Sequence, residues 1–135
     1  MAVAVALLQS IVPNSIDVTQ QEFIADGSLT LSGNYGTGSS HGDTMNLSQL
    51  GIASDQVPNR VEVFEQPAAG TAATGYVFVF CPGTTQANGV LCILGTGAAA
   101  GGGGQEITEG SAYSGFSPSL NGLVLRFRAW FPKFV

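Results

Sequence analysis

The segment "GLVLRFRAWFPKF", Gly122 to Phe134, decides the fold. Its apolar residues recur at every second position: Leu123, Leu125, Phe127, Ala129 and Phe131 share one face of an extended chain, and Val124, Arg126, Arg128 and Trp130 share the other. This is a strand with one face in a core. Pro132 has no N–H to give a ladder, so the strand is expected to end or to meet a sheet edge there.

The same period of two runs through "DGSLTLSG", where Leu29 and Leu31 alternate with Ser28, Thr30 and Ser32. In "RVEVFEQ", Val61 and Val63 alternate with Glu62 and Phe64. Two further runs, "TGYVFVFC" and "GVLCILG", are short, apolar and bounded by Gly or Pro, and also predict strands. Only "NLSQLGI" reads as helical, as a single turn with Asn46 as N-cap and Gly51 as terminator. Short strands separated by Gly/Pro/Ser/Asn loops predict an all-β fold: a compact antiparallel β-sandwich or jelly-roll-like barrel with long Gly-rich loops.

At 135 residues the chain is about one domain, large enough to bury roughly two-thirds of its unfolded surface. Charged residues make up 10% of it and apolar residues 44%, which is little solubilising surface for a free monomer and favours burial in an assembly. Four basic against nine acidic residues, a net charge of -5, offer no footprint for phosphate backbones and disfavour an acidic membrane surface. The N-terminal "MAVAVALLQS" lacks the Lys or Arg of a secretory signal, and no segment approaches the ~20 apolar residues of a membrane span. Residues 1–14 are therefore expected to be an extended N-terminal arm or strand, ahead of a single β domain over 15–135. An isolated apolar strand must be covered, by the domain's own sheet or by a neighbour. Docking on a neighbour is the placement expected here, with Val3, Val5, Leu7, Leu8 and Ile11 as contacts and the remaining domain able to fold without the arm.

Cys81 and Cys92 have no zinc spacing and are too few for a disulfide framework. If "CPGTTQANG" closes a hairpin, Cys81 pairs with Val90 and Cys92 lies diagonally offset, so both thiols are expected to be reduced. The stretch "GTGAAAGGGGQE", Gly95 to Glu106, lacks the Lys-Ser/Thr and the following helix of a phosphate cradle, and reads as a flexible loop.

The chain's one histidine, His41, stands near Asp43 in "LSGNYGTGSSHGDTMNLSQLGI", Leu31 to Ile52. A triad would need a distant serine such as Ser39, Ser40 or Ser114, no GxSxG elbow is present, and His with Asp in a Gly/Ser loop is ordinary turn composition. Glu62, Glu65, Glu106 and Glu109 suggest no carboxylate pair by spacing, and the acidic residues are too scattered in sequence for a calcium loop. No catalytic residue, cofactor or metal is expected. Gly33, Gly36, Gly38 and Gly42 instead suit backbone turns at positive φ, with Asp43 accepting backbone N–H groups to hold the turn closed.

The order of "SGNYGTGSSHGDTMNLSQLGI", "VPNRVEVFEQ", "GYVFVFCPG", "EITEGSAYSG" and "LRFRAWFPKF" resembles a family of small structural proteins of tailed bacteriophages, over roughly residues 28–133. Ser39-Ser40-His41 stands as an insertion relative to that pattern, and the Gly95–Gly104 loop is longer and less polar. The resemblance implies a capsid decoration or cement protein on the outer surface of the virion, made in the host cytoplasm. Its partners would be the major capsid protein and further copies of itself, a trimer in preference to a dimer, with no nucleic acid and no membrane. Arg126, Arg128 and Trp130, on the outward face of the last strand, complete the expected contacts, with intramolecular pairing of the arginines to Glu62 or Glu65 as the alternative. A second reading, a lectin-like recognition module on a fibre or host-facing surface, would stack a sugar on Tyr35, Tyr113 and Trp130.

Overall fold

A computed structural model describes residues 2–7, 22–36, 41–52, 56–95 and 105–132. Leu8, Ile11, Gly38, the Ser39-Ser40 pair and the Gly-rich loop beyond Gly95 lie outside them. Among the described residues eight strands form two antiparallel sheets: β1 (Ala2–Leu7), β2 (Glu22–Ser32), β3 (Asp43–Met45), β4 (Arg60–Glu65), β5 (Val77–Cys81), β6 (Gly89–Gly95), β7 (Gln105–Glu106) and β8 (Val124–Pro132). The first sheet has the order β1-β2-β8-β4. In the second, β3 and β7 both pair with β6, and β5 forms its other edge.

The core follows the alternation seen in the sequence. On β8, Leu125, Phe127, Ala129 and Phe131 are buried while Val124, Arg126 and Arg128 are exposed, and the strand ends at Pro132 opposite Glu22. These residues meet Leu29 and Leu31 of β2, Phe78 of β5, and Leu91 and Ile93 of β6 in one apolar cluster, so the two sheets bury their inner faces against each other. Phe127 is central, paired with Gly27 on one side and Val63 on the other. Phe127→Ala is expected to cost about 3–5 kcal/mol in urea unfolding, whereas Arg128→Ala, on the wet side of the same strand, is expected to cost only about 1 kcal/mol or less. Equal small losses would overturn this assignment of faces.

The single expected helical turn is present as a 3-10 turn, Leu47–Leu50. The Asn46 side chain accepts the Ser48 N–H at its start, and Gly51 closes it at φ 75°. The β5–β6 hairpin has the expected register, with Cys81 opposite Val90 and Val79 opposite Cys92. Both cysteines are free, their sulfurs 3.9 Å apart. Burial and the neighbouring Cys81 push the Cys92 thiol up to about 11, while Cys81 is exposed. Iodoacetamide is therefore expected to label Cys81 well before Cys92, as peptide mapping would show.

The N-terminal segment takes the other of its two placements. β1 pairs with β2 along its whole length, from Ala2 opposite Ser32 to Leu7 opposite Gly27. Val3 and Val5 stand opposite Leu31 and Leu29, both core residues of β2, so as far as Leu7 the segment is an edge strand of the domain's own sheet and not a free arm.

Candidate functional site

The loop after β2 is laced to the segment after β7. Tyr113 N–H donates to the Gly33 carbonyl, Tyr35 N–H to that of Ser111, and Gly110 N–H to that of Tyr35. Gly33, Gly36 and Gly42 take positive φ. At Gly42 a Cβ would stand 2.5 Å from the Leu91 carbonyl oxygen and 2.6 Å from Val90 Cγ1, because the chain enters β3 pressed against β6. Gly42→Ala thus combines a left-handed backbone with a clash against backbone, and a marked fall in melting temperature is expected.

Asp43 is buried at the first position of β3. Its Oδ1 accepts the Gly36 N–H at 2.8 Å and its Oδ2 accepts the Tyr113 hydroxyl. It closes the turn as its sequence context suggested, and it is not a partner of His41. Tyr35 and Tyr113 pack edge to face, ring centroids 6.1 Å apart, and both are fully buried.

β3 and β7 dock end to end on the same edge of β6, opposite Gly89–Leu91 and Leu94–Gly95 respectively. In the gap between them the Ile93 N–H would lack a ladder partner, and the Tyr35 hydroxyl accepts it at 3.1 Å. That hydroxyl donates in turn to Glu106 Oε1 at 2.6 Å. The second oxygen of Glu106 faces outward, 3.3 Å from His41 Nδ1, which lies 3.5 Å from Glu109 Oε1. A line of contacts therefore runs from the β6 backbone through a buried tyrosine to a surface cluster of His41, Glu106 and Glu109. Beside Glu106 opens a cleft of about 280 Å³ walled by Tyr76, Phe116 and Pro118.

Burial first, then a hydrogen bond to a carboxylate, push the Tyr35 and Tyr113 hydroxyls well above the ordinary tyrosine range. The folded state thus keeps protons that the unfolded chain releases above about pH 10, so their contribution is intact below that pH and stability falls as pH rises past it. In an alkaline titration, tyrosinate absorbance from these two rings is expected to appear together with loss of the fold. Ionisation of all three tyrosines with the fold intact would contradict this.

On the outer face of the first sheet, Arg128 makes a paired contact with Asp26, Nε to Oδ1 at 2.6 Å and Nη2 to Oδ2 at 3.0 Å. Glu62 stands opposite Arg128 on β4, yet Asp26, opposite it on β2, takes the fork, and Glu65 instead accepts the backbone N–H and hydroxyl of Thr74. Arg60 stacks on Trp130, 3.9 Å from the ring centroid. Arg126 lies between Ser28 and Phe64 and makes no ion pair among the described residues. Of the outward β8 contacts expected from the sequence, Arg128 and Trp130 are engaged within the chain, and Arg126 is the open one. With Tyr35 and Tyr113 buried and Trp130 covered by Arg60, the three aromatics assigned to sugar stacking present no open platform.

The class these features define is an all-β, antiparallel two-sheet protein with a polar cluster on the edge of its second sheet. The chain matches no protein-family profile, no curated protein and no solved structure.

Proposed function

We propose that this chain is a non-enzymatic structural protein of a tailed-phage virion, one that decorates or cements the outer surface of the head by bridging neighbouring copies of the major capsid protein. The observation that carries the reading beyond the motif order is the outer face of β5 and β6. Its cross-strand pairs are Val77 with Leu94, Val79 with Cys92 and Cys81 with Val90, apolar throughout and without a charge. Val77 is 53% and Val79 39% exposed, on a chain with few charged residues to offset them. Phe64 and Val124 add exposed apolar surface on the other sheet. Such faces are suited to burial against neighbouring subunits.

The mechanism is additive contact. A patch of about 800 Å² per partner, repeated by a closed oligomer of this chain around a lattice axis, holds far more tightly than one copy because the later contacts form at high effective concentration. A trimer on a three-fold axis is the preferred arrangement. Cosedimentation of the purified protein with undecorated heads, followed by imaging, tests the reading: ordered density on the outer surface is expected. Val79→Asp is expected to fold normally, because Val79 faces water, and to lose head binding. A chain that remains monomeric and leaves heads bare would overturn the proposal.

A further inference from the structure

We propose that His41, Glu106 and Glu109 form a binding site for one divalent transition-metal cation, Zn2+ by ligand preference. The three donor atoms lie within 4.8 Å of one another. Ligands about 2.1 Å from a tetrahedral zinc stand about 3.4 Å apart, and the two distances from His41 Nδ1 are 3.3 and 3.5 Å. A direct charge-assisted hydrogen bond would be shorter, about 2.7–2.9 Å, and a single Nδ1 proton cannot serve two carboxylates equally. The nitrogen is near-equidistant from two carboxylate oxygens, a spacing that a shared cation would fit.

The surroundings support a built site. Tyr35 holds the other oxygen of Glu106, itself fixed by the Ile93 N–H, so that Oε2 is presented toward His41, which is how an outer hydroxyl orients a ligating carboxylate. Glu109 lies against Gly36, where a Cβ would come within 2.9 Å of its Cγ, so the glycine leaves room for this carboxylate beside the loop. Among the described residues no arginine pairs with these carboxylates: Arg60, Arg126 and Arg128 all sit on β4 and β8 of the other sheet. One imidazole with two carboxylates suits zinc and its neighbours better than Mg2+ or Ca2+, which prefer oxygen alone. His41 is 79% exposed on its side chain, leaving room for water to complete the coordination.

The test uses the untagged full chain, stripped with EDTA and titrated with Zn2+ by calorimetry and by long-range 1H–15N NMR. As the chain has one histidine, its imidazole signals are unambiguous. One saturable site is expected, with the metal-bound shift at Nδ1 and the shift of a proton-bearing nitrogen at Nε2, and no competition from a tenfold excess of Mg2+. His41→Ala and Glu109→Gln should each weaken binding at least tenfold, while Glu62→Gln, on the outer face of the other sheet, should leave it unchanged. A Cys81→Ser/Cys92→Ser variant should still bind. Absence of saturable uptake, unchanged affinity in His41→Ala, the metal-bound shift at Nε2, or binding lost only with the cysteines would each overturn the assignment. Should either substituted chain fail to fold, the wild-type Nδ1 shift decides.

Discussion

Asp43→Ala is expected to lower the stability of the folded chain by roughly 2–6 kcal/mol, because it orphans two buried donors at once, each worth about 1–3 kcal/mol. The carboxylate accepts the Gly36 N–H and the Tyr113 hydroxyl, and the residue is 1% exposed, so water cannot readily replace it. A domain of this size is stable by only about 5–15 kcal/mol, so the variant should lose a large fraction of its stability. Asp43→Asn should be milder, since its amide oxygen can still accept from Gly36 and its amide nitrogen can donate to the tyrosine oxygen. Tyr113→Phe removes one of the two orphans, so the double variant Asp43→Ala/Tyr113→Phe should be less destabilised than the sum of the singles. Urea midpoints measure all four chains. A loss below about 1 kcal/mol for Asp43→Ala would show that the turn is held by its backbone bonds alone.

What was legible in the sequence, and what was not, follows from the length over which each pattern runs. The segment from Leu123 through β8 shows five apolar residues at alternate positions, four of them buried on the inner side of β8 and Leu123, just before the strand, packed against the core. β3 and β7 are three and two residues long, too short for alternation to be a pattern at all. They are strands because β6 offers them an edge. That shared edge also brings His41 to Glu106 and Glu109, residues whose spacing in the chain carries no ligand signature. The role of Asp43 could be read from a Gly-Asp pair in a glycine-rich loop, but its second partner, Tyr113, is supplied by a segment distant in sequence and close only in the fold. Likewise the composition of the N-terminal segment said that it must be covered, without saying by what. The ladder with β2 answers that.

That ladder reverses the outcome expected for truncation from the sequence alone. Deleting residues 2–7 strips six paired positions from β2 and bares the edge of a strand whose other side is held by β8. An unpaired edge of that length is a template for association between chains, so the truncated protein is expected to lose its cooperative transition or to aggregate. It should not persist as a stable monomer that merely fails to bind heads. Aggregation alone could be ascribed to other causes, so adjacent proline substitutions supply the sharper test. In an antiparallel edge strand successive N–H groups point alternately toward the neighbour and toward open solvent. One of Ala4→Pro and Val5→Pro must therefore remove a ladder bond to β2, and the other removes an N–H that the sheet does not use. A large fall in melting temperature for one variant and a small fall for the other is expected. Two equally mild variants, together with a truncated chain that folds cooperatively, would return the segment to the role of an attachment arm.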